Sequence, residues 1–162
     1  MDPNIIALII VSLVVIVYLY REHRKSGKYF GKNHYLTKKQ KNQLEMFKKI
    51  YTPISDSNNF PSIKSHGYAF EDVALSAQTI PYDPPIPEPS EIESIKIKDN
   101  VKIVIIDKDE ESQRVWVEIT RTSHPHFDGI LLNAPFDIEE LNENHEIKLH
   151  SNHILQIGYN RK

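Results

Sequence analysis

The chain has 162 residues, ten prolines, no cysteine and a formal net charge of −2. Without cysteine it has no disulfide, no thiolate-ligated zinc and no cysteine nucleophile, a composition that fits a reducing compartment. The length leaves room for one modest soluble domain beside any membrane segment, so two separate cores are excluded.

The first predicted element is a membrane-spanning helix. Ile5–Tyr20 is an apolar run, and at about 1.5 Å per residue it extends roughly 24 Å, near the lower limit for spanning a bilayer. A buried core helix would need a larger partner core. A cleaved signal peptide would need basic residues before the run and a small-residue cleavage site after it. We therefore predict a transmembrane anchor at residues 1–21.

A strong charge asymmetry follows the apolar run. Residues 21–49 carry ten lysines and arginines against two glutamates, whereas residues 50–162 carry ten against nineteen acidic residues. Positive charge marks the cytoplasmic side of a span, so we predict a single pass through the inner, cytoplasmic membrane with the C-terminal domain in the cytoplasm. The predicted lipid-contact residues are Arg21, Arg24, Lys25 and Lys28. The acidic body argues against nucleic acid as a partner.

Residues 22–51 are predicted to form a basic juxtamembrane segment that ends in an amphipathic helix at 38–50. Thr37-Lys-Lys-Gln40 resembles a capping box, and the apolar residues that follow have helical spacing, namely Leu44, Phe47, Ile50 and Tyr51. The helix either lies on the membrane surface or docks on the soluble domain. Its short apolar strip favours docking or simple spacing.

Residues 52–91 are predicted to be a loop followed by a proline-rich linker. Five of the nine residues from Pro81 to Pro89 are proline, which requires an extended polyproline geometry. A semi-rigid linker is the favoured interpretation, and a ligand for an aromatic groove is the alternative. The segment 68–77 is compatible with either helix or strand. Either this segment or the 38–50 helix is expected to cover an open face of the domain that follows.

Residues 92–162 are predicted to form a small β-domain, because the hydrophobic period changes to two. The predicted strands are 101–106, 114–121, 127–133, 146–150 and 153–157, with a solvated turn at 107–112 and a short helical turn at 137–141. Short strands joined by tight turns indicate an antiparallel sheet that closes as a partly open five-stranded barrel of SH3-like size. The predicted fold class is therefore α+β.

A set of motifs in this domain resembles a bacterial family. Trp116-Val117-Glu118 is followed by Gly129-x-Leu131-x-Asn133-x-Pro135 and then by Ile138-x-x-Leu141. This array, within residues 95–159, resembles the YegJ-like family of bacterial domains of unknown function. The resemblance implies a small β-rich domain that occurs alone or attached to other modules, and it implies no catalytic residue. The chain departs from the family pattern at Asn144-His145, where a Gly-Asp turn is usual, and at Ile157, where a tryptophan is usual.

Trp116, Glu118 and Asn133 are the candidate partner-binding residues. Trp116 and Glu118 share one face of the predicted second strand, opposite its valines and isoleucine. The favoured alternative is structural: a tryptophan packed at the barrel edge, a glutamate that accepts from a backbone donor, and an asparagine bonded to its own backbone at a turn. Gly129 is expected to permit a tight entry into the third strand.

The chain contains no phosphate-loop, dinucleotide or hydrolase motif, so we predict no cofactor and no enzymatic activity. Histidines are the one suggestive set: if the strand ends converge, His124, His126, His150 and His153 are candidate metal ligands. Surface histidines are the favoured interpretation. The favoured function is a membrane-tethered binding protein, with an immunity-type protein that neutralises an effector as one form. The alternative is a metal-dependent enzyme or sensor that uses these histidines.

Overall fold

The computed structural model describes residues 36–136 and 138–158. The predicted anchor at residues 1–21 and the four predicted lipid-contact residues lie outside this range. None of the helices within the described residues is long and apolar enough to cross a membrane. From Lys39 onward the chain belongs to one compact unit.

The longest described helix is α1, Lys38–Ile50, which has the predicted bounds. Its apolar strip is buried, because Leu44 and Phe47 face the domain. Phe47 packs in a cluster with Val104 and Leu155 from the sheet. The helix therefore docks on the β-domain, as its short apolar strip favours. Three helices of four or five residues follow: α2 at Ile63–His66, α3 at Val73–Ser76 and α4 at Pro89–Glu93.

The proline-rich stretch packs against the rest of this unit. Ile86 is only 5% exposed and belongs to the same cluster as Phe47. The Tyr82 hydroxyl donates a hydrogen bond to Glu71 Oε1 at 2.8 Å. The stretch is thus a covering segment of the domain and does not span open solvent between two modules. It ends where Pro89 begins α4.

Six strands form one curled antiparallel sheet, a half-barrel. They are β1 at Tyr68–Phe70, β2 at Asn100–Asp107, β3 at Ser112–Ser123, β4 at His126–Leu131, β5 at Glu146–His150 and β6 at Ile154–Gly158. The predicted α+β class and antiparallel sheet are confirmed, and β2–β6 occupy the predicted positions. β1 is an added strand from the ambiguous segment 68–77, whose second half is α3. At 138–141 the described residues form a turn closed by Leu141 N to Ile138 O, 3.1 Å, and no helix.

β2 is the central strand of the sheet. It pairs with β3 along its length, and its other edge is shared by two strands. β6 pairs with the half from Asn100 to Ile103, and β1 pairs with the half from Ile105 to Asp107. β4 and β5 extend the sheet beyond β3, and a 3₁₀ turn at Ser151–His153 leads from β5 to β6. No ladder joins β5 to β6 within the described residues, so the sheet is open between them.

The main core lies on the concave face of the sheet. Val115, Val117 and Ile119 are buried there, while Trp116 and Glu118 lie on the opposite face, as predicted. The inner positions of β2 are filled by Val101, Ile103 and Ile105. On its outer face, Val104 is covered by the cluster that contains Phe47. Because both faces are covered, β2 has a nearly continuous apolar sequence.

Candidate functional site

Trp116 is a half-buried residue on the outer face of β3. The ammonium group of Lys102, its partner on β2, lies 4.3 Å from the centroid of its ring, which is a cation–π contact. The same ammonium donates a hydrogen bond to Gln156 Oε1 on β6 at 3.0 Å. Glu118 is also half-buried, and it pairs with Asn100. The candidate pair thus lies on an outer face that cross-strand side chains partly cover, and its role in partner binding stays a prediction.

Asn133 ties the loop after β4 back to β3. Its Oδ1 accepts a hydrogen bond from the backbone N–H of Trp116 at 2.8 Å. The backbone N–H of Leu132 donates to the Trp116 carbonyl, also at 2.8 Å. Asn133 was expected to bond to its own backbone at the turn. It bonds instead to a strand 17 residues earlier, so it acts as a structural tie.

The same loop presents an exposed aromatic residue, Phe136. The residue is 82% exposed. Its backbone N–H and carbonyl are both hydrogen-bonded to the side-chain amide of Gln113. The Phe136 N–H donates to Gln113 Oε1 at 2.5 Å, and Gln113 Nε2 donates to the Phe136 carbonyl at 2.6 Å. Together with the contacts of Asn133 and Leu132, four hydrogen bonds fix the loop to β3. An exposed apolar side chain on a backbone held by hydrogen bonds is typical of a binding anchor.

Acidic side chains line a surface cavity that the residues after Phe136 help to form. A surface cavity of about 700 Å³ is lined by carboxylates from the β2–β3 turn and from the loop after Phe136: Asp107, Asp109, Glu111, Glu139 and Glu140. Among the residues that line it, Lys108 carries the positive charge that opposes them. The resulting negative potential favours a basic surface on any partner that contacts this cavity.

Three of the four candidate histidines converge around one phenylalanine. The ring centroids of His126, His150 and His153 lie 6.3, 6.3 and 4.8 Å from that of Phe60. His124 is separate and lies 6.2 Å from Phe127. The metal hypothesis takes the meeting of the strand ends only as a condition, and the structure meets it for these three histidines. Spacing does not identify Phe60, which lies in a polar loop far away in the chain.

One ring nitrogen of each of these three histidines already has a partner. His126 Nε2 hydrogen-bonds to Asp56 Oδ2 at 2.8 Å. His153 Nδ1 accepts the backbone N–H of His150, and His150 Nδ1 accepts that of Asn152, each at 3.1 Å. Burial lowers the pKa of His153 to about 3, and burial followed by the nearby His126 lowers the pKa of His150. Both are therefore neutral near pH 7, and they act as acceptors that shape the turn between β5 and β6.

These bonds bear directly on the metal hypothesis. Within residues 36–136 and 138–158, no group of three histidine, cysteine or acidic side chains is placed to hold a metal ion. The observed arrangement is that of a structural turn, with Asp56 and Phe60 as its covering residues. No local sequence pattern predicts the role of either covering residue, because each contacts His126, which lies about 70 residues later in the chain.

The fold and the loop define a small α+β half-barrel domain with an exposed aromatic residue on a hydrogen-bonded loop and an acidic surface cavity. Comparison of the chain with protein-family models, with curated proteins and with solved structures gives no match.

Proposed function

We propose that this chain is a single-pass, membrane-tethered binding protein of the YegJ-like family, whose domain faces the cytoplasm and captures a protein partner. In this proposal the half-barrel is a partly open barrel of SH3-like size, and Arg21, Arg24, Lys25 and Lys28 contact lipid head groups. The observation that carries the proposal is Phe136, which is 82% exposed and clamped by both hydrogen bonds of Gln113.

The clamp supports binding through its effect on entropy. A flexible loop would have to be ordered when a partner binds, which opposes association. Here Gln113 and Asn133 order the loop in advance, so burial of the Phe136 ring is not offset by that cost. Leu132, 36% exposed on the same loop, adds to the apolar surface.

Charge indicates the kind of partner. The carboxylates of the β2–β3 turn and of the residues that follow Phe136 in the chain would attract a basic protein surface and repel an acidic one. Tethering to a membrane raises the effective concentration for a partner that also reaches the membrane, so modest intrinsic affinity suffices. An immunity-type protein that neutralises an effector by binding it is one form of this function.

Site-specific crosslinking in cells tests the proposal. A photoreactive phenylalanine analogue would replace Phe136 in one variant and Leu75, an apolar residue that is 50% exposed on α3, in the control. We expect a protein adduct from position 136 and none from position 75. Adding Gln113→Ala should lower the yield at position 136, because the loop is no longer held. Equal adducts at both positions, or an adduct on an acidic partner surface, would contradict the proposal.

A further inference from the structure

A second cavity lies where α1, α3 and α4 meet one end of the sheet. Its volume is about 330 Å³, and its wall is mostly apolar. Phe47 and Ile86 contribute to it from the smaller core cluster, and Ile92 and Ile154 contribute from the main core. The two cores therefore meet here without filling the space between them. We call this cavity the inter-core groove; its size is within the range of about 300–1,000 Å³ that is usual for ligand sites.

The rim of the inter-core groove is held in place by hydrogen bonds between elements that are distant in sequence. The Tyr51 hydroxyl, after α1, donates to Asp72 Oδ2 before α3 at 2.9 Å. Asn152 Nδ2, in the turn before β6, donates to the Thr52 carbonyl at 3.0 Å. Because these bonds connect three sides of the groove, its shape exists before any ligand arrives, which reduces the cost of binding.

His150 supplies a polar group to this otherwise apolar wall. The residue is 8% exposed and lines the groove. Its Nδ1 accepts the N–H of Asn152, so the neutral ring carries its hydrogen on Nε2. Within the described residues that Nε2–H group has no hydrogen-bond partner. This nitrogen is not one of the fully buried atoms that lack a partner, so water reaches it, and a ligand oxygen would take the place of that water.

We propose that the inter-core groove binds a single-chain amphiphile, with its oxygen at His150 and its apolar chain against Phe47, Ile86 and Ile154. The chemical class is an apolar chain that ends in one acceptor oxygen, as in a medium-chain alcohol, fatty acid or acyl ester. The alternative occupant is an apolar side chain of a partner protein. Such a side chain could fill the groove, but it would offer no acceptor to the His150 donor. The small volume favours one chain over the two chains of a phospholipid.

Photolabelling of the full chain in lipid nanodiscs tests this inference. The probes are a decanol and a decane that carry the same diazirine, and a third arm uses a phosphatidylcholine with the diazirine in one acyl chain. We expect the decanol probe to label peptides that contain residues 86–92 and 150–154. Excess unlabelled decanol should suppress this labelling. A phosphatidylcholine probe that labels these peptides as well as decanol does would overturn the single-chain proposal.

A variant of His150 tests the role of its donor. His150→Asn keeps an acceptor for the Asn152 N–H but has no group at the Nε2 position. Labelling by the decanol probe should fall about five- to tenfold, the usual value of one hydrogen bond, whereas labelling by the decane probe should not change. An equal loss for both probes would overturn the assignment of the oxygen to His150.

A substitution at the groove rim tests the apolar wall. Ile50 lines the groove and is 41% exposed, so Ile50→Asp places a charge there without disturbing a core position. Ile97→Asp is the matched control, because Ile97 is 58% exposed and does not line the groove. We expect Ile50→Asp to abolish labelling by both single-chain probes and Ile97→Asp to leave it unchanged. Unchanged labelling in Ile50→Asp would overturn the proposal. So would labelling that appears only after a bound protein is removed with salt.

Discussion

Acid should destabilise this domain largely through one histidine. His153 is 3% exposed, and burial lowers the pKa of its imidazole to about 3 from an ordinary value of 6.5. The unfolded chain therefore takes up a proton at this position before the folded chain does. The stability that a neutral His153 provides is complete above pH 6.5 and is lost progressively as the pH falls from 6.5 towards 3.

The magnitude follows from the difference between the two pKa values. At about 1.4 kcal/mol for each pH unit, lowering the pH to 5 should cost about 2 kcal/mol, and the full effect below pH 3 approaches about 5 kcal/mol. The loss at pH 5 is a large part of the free energy of unfolding of a small domain. His150, whose pKa is also lowered, contributes in the same direction.

Urea unfolding of the full chain at pH 7.5 and pH 5.0, followed by the fluorescence of Trp116, measures this effect. His153→Asn keeps an acceptor for the His150 N–H but does not titrate. The wild type should lose about 2 kcal/mol more than this variant between the two pH values. The exposed His124 provides the control, since His124→Asn should behave as the wild type does. An equal loss in the wild type and in His153→Asn would refute the reasoning.

Three further predictions concern packing, the loop and topology. Gly129→Ala should lower the free energy of unfolding by about 1–3 kcal/mol in urea titrations, because a Cβ would meet a Val117 methyl group and lie 2.7 Å from the Glu118 carbonyl oxygen. Asn133→Ala should cost about 1 kcal/mol in the same titrations and speed hydrogen exchange of the β3 amide that it accepts from. Reporters fused to Lys162 should be active if they need the cytoplasm and inactive if they need the outside.

Each of these predictions has a clear contrary result. An unchanged unfolding midpoint for Gly129→Ala would mean that the two strands move apart without cost. Unchanged exchange in Asn133→Ala would mean that another group holds the loop. Activity of the outside reporter alone would reverse the predicted orientation.

Periodicity explains what the sequence predicts well. The α1 helix follows from apolar residues at helical spacing and a start at Thr37, and its observed bounds agree with the prediction. Strands β2 and β3 follow from alternation around the DKDEES turn. The three residues of β1 are too few to show a period. They become a strand because the second half of one β2 edge would otherwise lack partners.

The functional features depend on contacts that no local pattern contains. Gly129 was expected at the entry to a strand, but it lies within β4 opposite Ile119, where the close approach of β3 requires it. Phe136 is an apolar residue in a polar loop, and nothing in its neighbourhood predicts that Gln113 clamps it. The inter-core groove exists only because two distant clusters meet without interdigitating.

The position of β2 determines how the domain can open. This one strand pairs with β1, β3 and β6, and its Lys102 donates a hydrogen bond to Gln156 on β6, 54 residues later in the chain. Loosening β2 would separate three strands together, so the amides of β2 itself cannot exchange through an opening that leaves its neighbours intact. Their hydrogen exchange should therefore follow global unfolding. Pairing β2 with β6 closes a long loop of chain, because Lys102 and Gln156 are far apart in sequence. We therefore expect this loop closure to be the slow step of folding.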